Sequence, residues 1–242
     1  MARKDSRTDR TMTALFRGLT TPHVADACLK EGVEVRCAPC DLRSVSSAHS
    51  RVAGRVRPVR HYGSVDVFLE ALEHSAPGDV LVVDNGGRRD EACIGDRMVL
   101  ESKNTGISGI VVWGLHRDTR GIVEIGLPVF SLGACPTRPL RLDPRGSDVF
   151  TSARVGTWTI GPDDIVIGDE NGLIFVPGAR AETVADSARA IRAEELADAR
   201  AMRRGISLRR QVRFSEYLAE RNSNPNLTLR DHLRRIEGAT ME

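Results

Sequence analysis

Four short apolar runs, each too brief for a helix and each bounded by turn residues, limit most tightly what this chain folds into. They are DVLVVD (79–84), SGIVVWG (108–114), LPVFSLG (127–133) and the paired run DDIVIGDENGLIFVP (163–177). Runs of β-branched and aliphatic residues with little polar alternation mark strands buried on both faces. The first ends in Asn85-Gly86-Gly87, and the last folds back at Asn171-Gly172, both turn-forming sequences. Helical spacing fills the gaps between them. Residues 13–31 read as helical, broken at Thr21-Pro22, where proline suits a first turn, and closed by Gly32. Residues 65–75 are a second helix. DRMVLESKNT (96–105) is a third, entered through Gly95-Asp96 and stopped by Gly106, while LHRDTRG (115–121) reads as a loop. Strands interleaved with helices predict an α/β or α+β domain.

From about residue 181 the pattern becomes wholly helical. Val184, Ala188, Ile191 and Ala199 or Met202 form one stripe, and Leu208, Val212, Phe214, Tyr217 and Leu218 a second. A third begins at Thr228, with Leu229, Leu233 and Ile236 in helical register and Asp231 at the capping-box position. The expected division is therefore a domain over 13–180 and a helical extension over 181–242. Residues 200–235 carry ten arginines against three acids, while the whole chain is only +2. Those arginines interleave with apolar positions, so a solvated face or subunit contact is favoured over a nucleic-acid surface.

At 242 residues, with 40% hydrophobic and 28% charged, the chain can bury a core, which excludes global disorder. No stretch reaches the roughly 18 apolar residues of a spanning helix. The leading MARKDSRTDRTM has no apolar region behind its basic residues, so no signal peptide and a cytoplasmic location are expected. Five cysteines are then read as reduced thiols. Cys37-Ala-Pro-Cys40 supplies two zinc ligands of the four required, and the six histidines lack metalloprotease spacing. Three lysines against 32 arginines leave few candidates for Schiff-base chemistry; Lys103 and Lys30 are the ones considered.

The chemistry falls instead on Gly95-Asp96-Arg97-Met98 and Arg117-Asp118. Gly95 allows close backbone approach, and the free N–H groups at the following helix start favour an anion. A carboxylate could rest on the amides of Arg97 and Met98. Arg117 can grip a carboxylate bidentately, and Asp118 can ligate a hard divalent cation.

Gly95-Asp96 and the run Gly109-Ile110-Val111-Val112-Trp113-Gly114-Leu115-His116-Arg117-Asp118 resemble the signature of the RraA-like family. Its members include class II 4-hydroxy-4-methyl-2-oxoglutarate/4-carboxy-4-hydroxy-2-oxoadipate aldolases and protein regulators of ribonuclease E. The likeness runs from Thr21-Pro22-His23-Val24-Ala25-Asp26-Ala27 through Pro128-Val129-Phe130 and Gly133 to Gly168-Asp169-Glu170-Asn171-Gly172, over roughly residues 15–200. It implies a swivelling β/β/α domain over 13–180, assembled as a homotrimer or homohexamer with sites between subunits. By resemblance, Asp118 would ligate Mg²⁺ or Mn²⁺, Arg117 would bind a 2-keto acid, and Asp96 would hold water on the metal. Glu194, and second Asp169, would be acids facing a neighbour's metal.

The implied activity is metal-dependent aldol cleavage releasing pyruvate, with oxaloacetate decarboxylation beside it. The competing readings are a non-catalytic regulator that binds ribonuclease E, and a lyase or hydratase acting on a sugar-derived acid. Two positions depart from the family pattern. His116 stands where a small apolar residue is usual and could act as an acid or base, shape the pocket beside Arg117, or bond within its loop. Arg97 replaces a leucine, adding a cation at the helix start. No membrane partner is expected.

Overall fold

The computed structural model describes residues 14–236. The segment MARKDSRTDRTM, Thr13 and residues 237–242 lie outside the described residues. Helix α1 (Thr21–Lys30) precedes short strands β1 (Arg36–Cys37) and β2 (Arg43–Ser44) and the nine-residue β3 (Val52–Arg60). Then come α2 (Asp66–Glu73), β4 (Val80–Asp84), β5 (Ala92–Ile94), α3 (Asp96–Asn104), β6 (Gly109–Trp113), β7 (Leu115–His116), α4 (Thr119–Ile125) and β8 (Val129–Ser131). Two hairpins follow, β9 (Ala153–Val155) with β10 (Trp158–Ile160), and β11 (Asp164–Asp169) with β12 (Gly172–Pro177). The remainder is helical: α5 (Ala181–Arg203), α6 (Leu208–Gln211), α7 (Phe214–Ser223) and α8 (Leu229–Arg235).

Eight strands form one curled sheet in the order β1-β12-β11-β3-β4-β6-β8-β2. β3 is its pivot. Residues 52–55 pair antiparallel with β11, and residues 56–60 pair parallel with β4. Gly54 sits at this change of partner, where an added Cβ would lie 2.1 Å from the Gly78 carbonyl oxygen. Only glycine fits there without moving backbone. The result is the swivelling β/β/α architecture expected, with a helical C-terminal region.

Period-two alternation divides each buried strand between two cores. Leu81 and Val83 of β4, with Ile110 and Val112 of β6, join Phe68, Val99 and Ile122 on the helical side. Val80, Val82 and Val111 join Phe130 and Phe175 on the other face. Covering both faces explains why these strands read as unbroken apolar runs.

One element departs from expectation. The segment read as loop 115–121 is strand β7 followed by the first residues of α4. β7 pairs in parallel with β5 as a small separate sheet, a tertiary pairing that no local periodicity announces.

The described residues fall into two compact units dividing between Ala185 and Asp186. α5 begins in the first, where Ala181, Val184 and Ala185 are buried. In the second, Ala188 and Ile191 are buried, but Met202 is exposed and Ala199 only half-buried, so the expected stripe ends at Ile191. Val212, Tyr217 and Leu233 are buried, and the Tyr217 ring lies 5.6 Å from that of His232. The Thr228–Asp231 capping box forms, with the Asp231 N–H donating to Thr228 Oγ1 at 3.1 Å. Among the described residues no helix is long and apolar enough to cross a membrane.

His61, just beyond β3, is buried and stacks on Phe68 with ring centroids 5.0 Å apart. Burial lowers its pKa from 6.5. Arg141 pushes it further down, while the Asn85 hydrogen bond, Glu91 and Asp143 pull it up. The unfolded chain therefore takes this proton before the folded one. The associated stability is complete above the unfolded value and is lost as pH falls from there through the folded pKa. Thermal unfolding followed from about pH 7.5 to about pH 5 should show a falling midpoint, with a shallower slope in His61→Gln.

Candidate active site

Two helix starts meet at the ends of the small parallel sheet. β5 delivers Gly95 as the N-cap of α3, and β7 delivers Arg117 and Asp118, the latter the N-cap of α4. The Arg117 N–H donates to the Ile94 carbonyl at 3.0 Å, which fixes the two segments side by side. A Cβ on Gly95 would lie 2.5 Å from Asp118 Oδ2 and 3.2 Å from Arg117 Nε. A Cβ on Gly121 would lie 2.8 Å from Asp96 Oδ2. Each glycine thus gives room to a carboxylate from the other segment. Gly95, Asp96, Arg117 and Asp118, expected together from sequence, are together.

Asp118 has φ 59° and ψ 38°, the left-handed region that aspartate tolerates better than most residues. Among the described residues Arg213 is the other non-glycine with positive φ. A strained backbone at a carboxylate in a cluster of charges is the kind of outlier that accompanies function. Arg117 Nε lies 3.3 Å from Asp118 Oδ2, and the side chains are 43% and 41% exposed. A pair so open to water adds little to stability, so both groups can engage a ligand.

Gly95 has no side chain to cap α3, which leaves the first-turn amides to another acceptor. Asp96 and Arg97 stand at that turn, Asp96 half-buried and Arg97 exposed, while the Met98 side chain is buried in the helical-side core. The turn offers an anion its amides and dipole.

His116 is 4% exposed. Its Nδ1 lies 2.6 Å from Ser131 Oγ and its Nε2 2.9 Å from Thr119 Oγ1, so both ring nitrogens are engaged within the chain. Burial lowers its pKa from 6.5. This arrangement ties β7 to β8 and to the start of α4.

Asp169 is 2% exposed, and its carboxylate accepts from the Thr21 N–H and hydroxyl, both at 2.7 Å, and from the Asn171 N–H at 2.9 Å. It answers the first residue of α1 and closes the β11–β12 turn, so both of its oxygens are engaged within the chain. Glu194 lies half-buried in the second unit, on α5. Lys103 donates its ammonium to the Ile125 carbonyl at the far end of α4, and Lys30 ends α1; neither belongs to this cluster. The Cys37 and Cys40 thiols are free and exposed. Burial pushes Cys28 up to about 11 and Cys93 up to about 12, so neither is a ready nucleophile.

Sequence reasoning missed Gly121, Thr119 and Ser131. The signal for α4 was present in Ile122 and Ile125, three residues apart, with Gly126 as the closing residue at φ 74°.

A family model described as RraA-like, aldolase/RraA, matches residues 21–175. The 4-hydroxy-4-methyl-2-oxoglutarate aldolase of Thermus thermophilus is 30% identical over 128 residues, 53% of this chain and 77% of that protein. The crystal structure of Streptomyces coelicolor RraAS2, an unusual member of the RNase ES inhibitor RraA protein family, superposes with a TM-score of 0.68. It is 26% identical, covering 81% of this chain and 98% of that one. An uncharacterized protein from Pseudomonas syringae superposes with a TM-score of 0.72 at 25% identity, covering 82% and 95%.

Removing the Asp169 carboxylate leaves the two buried donors of Thr21 unanswered and frees the Asn171 N–H. Asp169→Ala should therefore cost about 2–4 kcal/mol in chemical denaturation. An undiminished denaturation midpoint would show that the carboxylate does not hold α1 in place.

Proposed function

The chain belongs to the RraA-like family, and on that premise we propose that it is a divalent-metal-dependent lyase cleaving a 4-hydroxy-2-keto acid to pyruvate. The carrying observation is the seating of Arg117 and Asp118 against Gly95, at a helix start with no side-chain cap.

The residues fit a hard cation. Asp118 and Asp96 offer carboxylate oxygens, and no group of three or more potential metal-binding side chains is found among the described residues. That donor set suits Mg²⁺ or Mn²⁺ held by Asp118 with water and substrate completing the coordination, rather than a cage made by protein alone. When bound, the cation supplies electrophilic stabilisation of charge on the keto oxygen.

The chain's own groups do the rest. The amides of Arg97 and Met98 receive the substrate carboxylate, and Arg117 holds the keto oxygen. Asp96 positions a water that removes the 4-hydroxyl proton. The oxygen's electrons form the new carbonyl, the C3–C4 bond breaks, and its pair moves into the enolate of pyruvate. Arg117 faces the negative charge as it develops on that oxygen. A proton delivered to C3 completes pyruvate, and the carbonyl fragment leaves. Oxaloacetate needs no such base: its C4 carboxylate is already ionised, the C3–C4 bond breaks with release of CO₂, and the bonding pair moves into the same enolate.

The assembly proposed is a homotrimer or homohexamer in which a neighbour's Glu194 adds an acid; Leu100 on α3 and Val123 on α4 are exposed apolar residues on the two helices that carry the site. Likeness to an inhibitor of RNase ES supports a second reading, a protein-binding regulator. Turnover separates the two.

Pyruvate release from 4-hydroxy-4-methyl-2-oxoglutarate and from oxaloacetate, coupled to lactate dehydrogenase, should require a divalent cation and stop with EDTA. Asp118→Ala and Gly95→Ala should each lower it by about 10²-fold or more with the oligomer intact. Release unaffected by Asp118→Ala would sink the assignment, and no release from either acid by metal-loaded protein would favour the regulator. Arg97→Leu should alter the ratio of rates on the two acids; an unchanged ratio would remove Arg97 from substrate choice.

A further inference from the structure

A cavity of about 600 Å³ opens at the C-terminal ends of β3 and β4 and shares no lining residue with the Gly95 site. Ligands of α/β sheets characteristically bind outside the carboxyl ends of parallel strands. Its wall is the β9–β10 hairpin. Arg154 and Thr159 are directly opposed in that hairpin's register, and both line the cavity together with Ser152.

Its polar groups are unevenly satisfied. Asp84 lines the cavity, but the Gly86 N–H donates to its Oδ1 at 2.8 Å and the Arg154 N–H to its Oδ2 at 3.0 Å. Arg141 is held by buried Glu91 and by Asp143, and Arg88 by Asp90 and Glu91. Arg60 pairs with Asp148 at 2.9 Å, but both side chains are about half exposed, so that pair exchanges readily for a ligand. The Arg154 guanidinium has no acid paired with it among the described residues.

Two further atoms stand unanswered. Arg141 Nη2 can only donate, so the Asn85 atom 2.5 Å from it is the accepting Oδ1. His61 Nδ1, 2.9 Å from the same oxygen, must then carry the proton and donate. In the neutral ring this leaves Nε2 an acceptor, and it has no partner; Asn85 Nδ2 is a donor with none. Both residues are more than nine-tenths buried and both line the cavity. Both atoms are sealed within the wall; what the cavity offers beside His61 and Asn85 is the hydroxyls of Ser152 and Thr159, which donate and accept and so match a ligand's hydroxyl groups.

We propose that this cavity is a second ligand site, taking a small polyhydroxylated anion. Its carboxylate or phosphate lies on Arg154 and Arg60, and its hydroxyls lie among His61, Asn85, Ser152 and Thr159. A lining so polar excludes apolar ligands, and the spare positive charge at Arg154 selects an anion over a neutral sugar.

Calorimetric titration of the full chain with gluconate and with glucose 6-phosphate tests this, with glucose and inorganic sulfate as the separated halves. At least one sugar anion should bind, more tightly than either half, and the better of the two identifies the anionic group. Arg154→Ala should weaken that binding by about tenfold or more, and Thr159→Val, a milder change, by several-fold. Asp118→Ala should leave it unchanged, and Arg154→Ala should retain whatever pyruvate release the parent chain has, so this site and the proposed reaction fail independently. The proposal is overturned if neither sugar anion binds, if sulfate binds as tightly as both, or if folded Arg154→Ala and Thr159→Val bind undiminished.

Discussion

The close packing of two helix starts, each yielding a Cβ to the other's carboxylate, is the constraint on which the candidate site depends. Gly95 and Gly121 are the two points of contact, and a methyl group at either would fall within 3 Å of a carboxylate oxygen. The atoms that fill both spaces belong to side chains, so what the two glycines make room for is the placement of the Asp118 and Asp96 carboxylates. The β5–β7 pairing and the Arg117 to Ile94 hydrogen bond hold the two segments in register. Asp118 adopts its left-handed conformation inside that frame, and surrounding structure must supply the cost of holding it there.

How carboxylates are used separates scaffold from site. Asp169 accepts from Thr21 and Asn171, Asp79 from Arg57 and the Ala76 N–H, and Glu91 from Arg141 and the Leu140 N–H. These three are buried, and their hydrogen bonds join segments distant in sequence. Asp118 has one cationic neighbour at 3.3 Å and stands two-fifths exposed. A carboxylate left so available contributes little to folding. It is free to bind what comes from solution.

Much of this was legible in the chain because burial on both faces writes itself as apolar runs. DVLVVD and SGIVVWG became β4 and β6, and the sharp Gly95-Asp96 entry became the start of α3. The change of period near residue 181 marked where the chain turns helical, and α5 starts at Ala181. What stayed hidden were features made by tertiary pairing. β7 is two residues long and exists only because β5 lies beside it. Asp169 stood at a turn, and nothing local showed that its carboxylate would accept from the start of a helix 148 residues away. His116, likewise, could be placed as a loop anchor only once Ser131 and Thr119 were seen on its two nitrogens.

The start of α3 shows how substrate choice can sit in residues that do no chemistry. A cation in the first turn of a helix opposes the macrodipole, typically by about 0.3–1 kcal/mol, and Arg97 is such a cation. Asp96 in the same turn offsets part of that cost, but its carboxylate leans on Gly121 and away from a capping role. With Gly95 unable to cap, the first-turn amides stay open to water or to an anion. That anion would meet amides, a dipole and the Arg97 charge together. A leucine in this position would leave the amides and the dipole unchanged and remove only the charge, which is why, on the proposed function, Arg97 is the residue to change when substrate choice is tested.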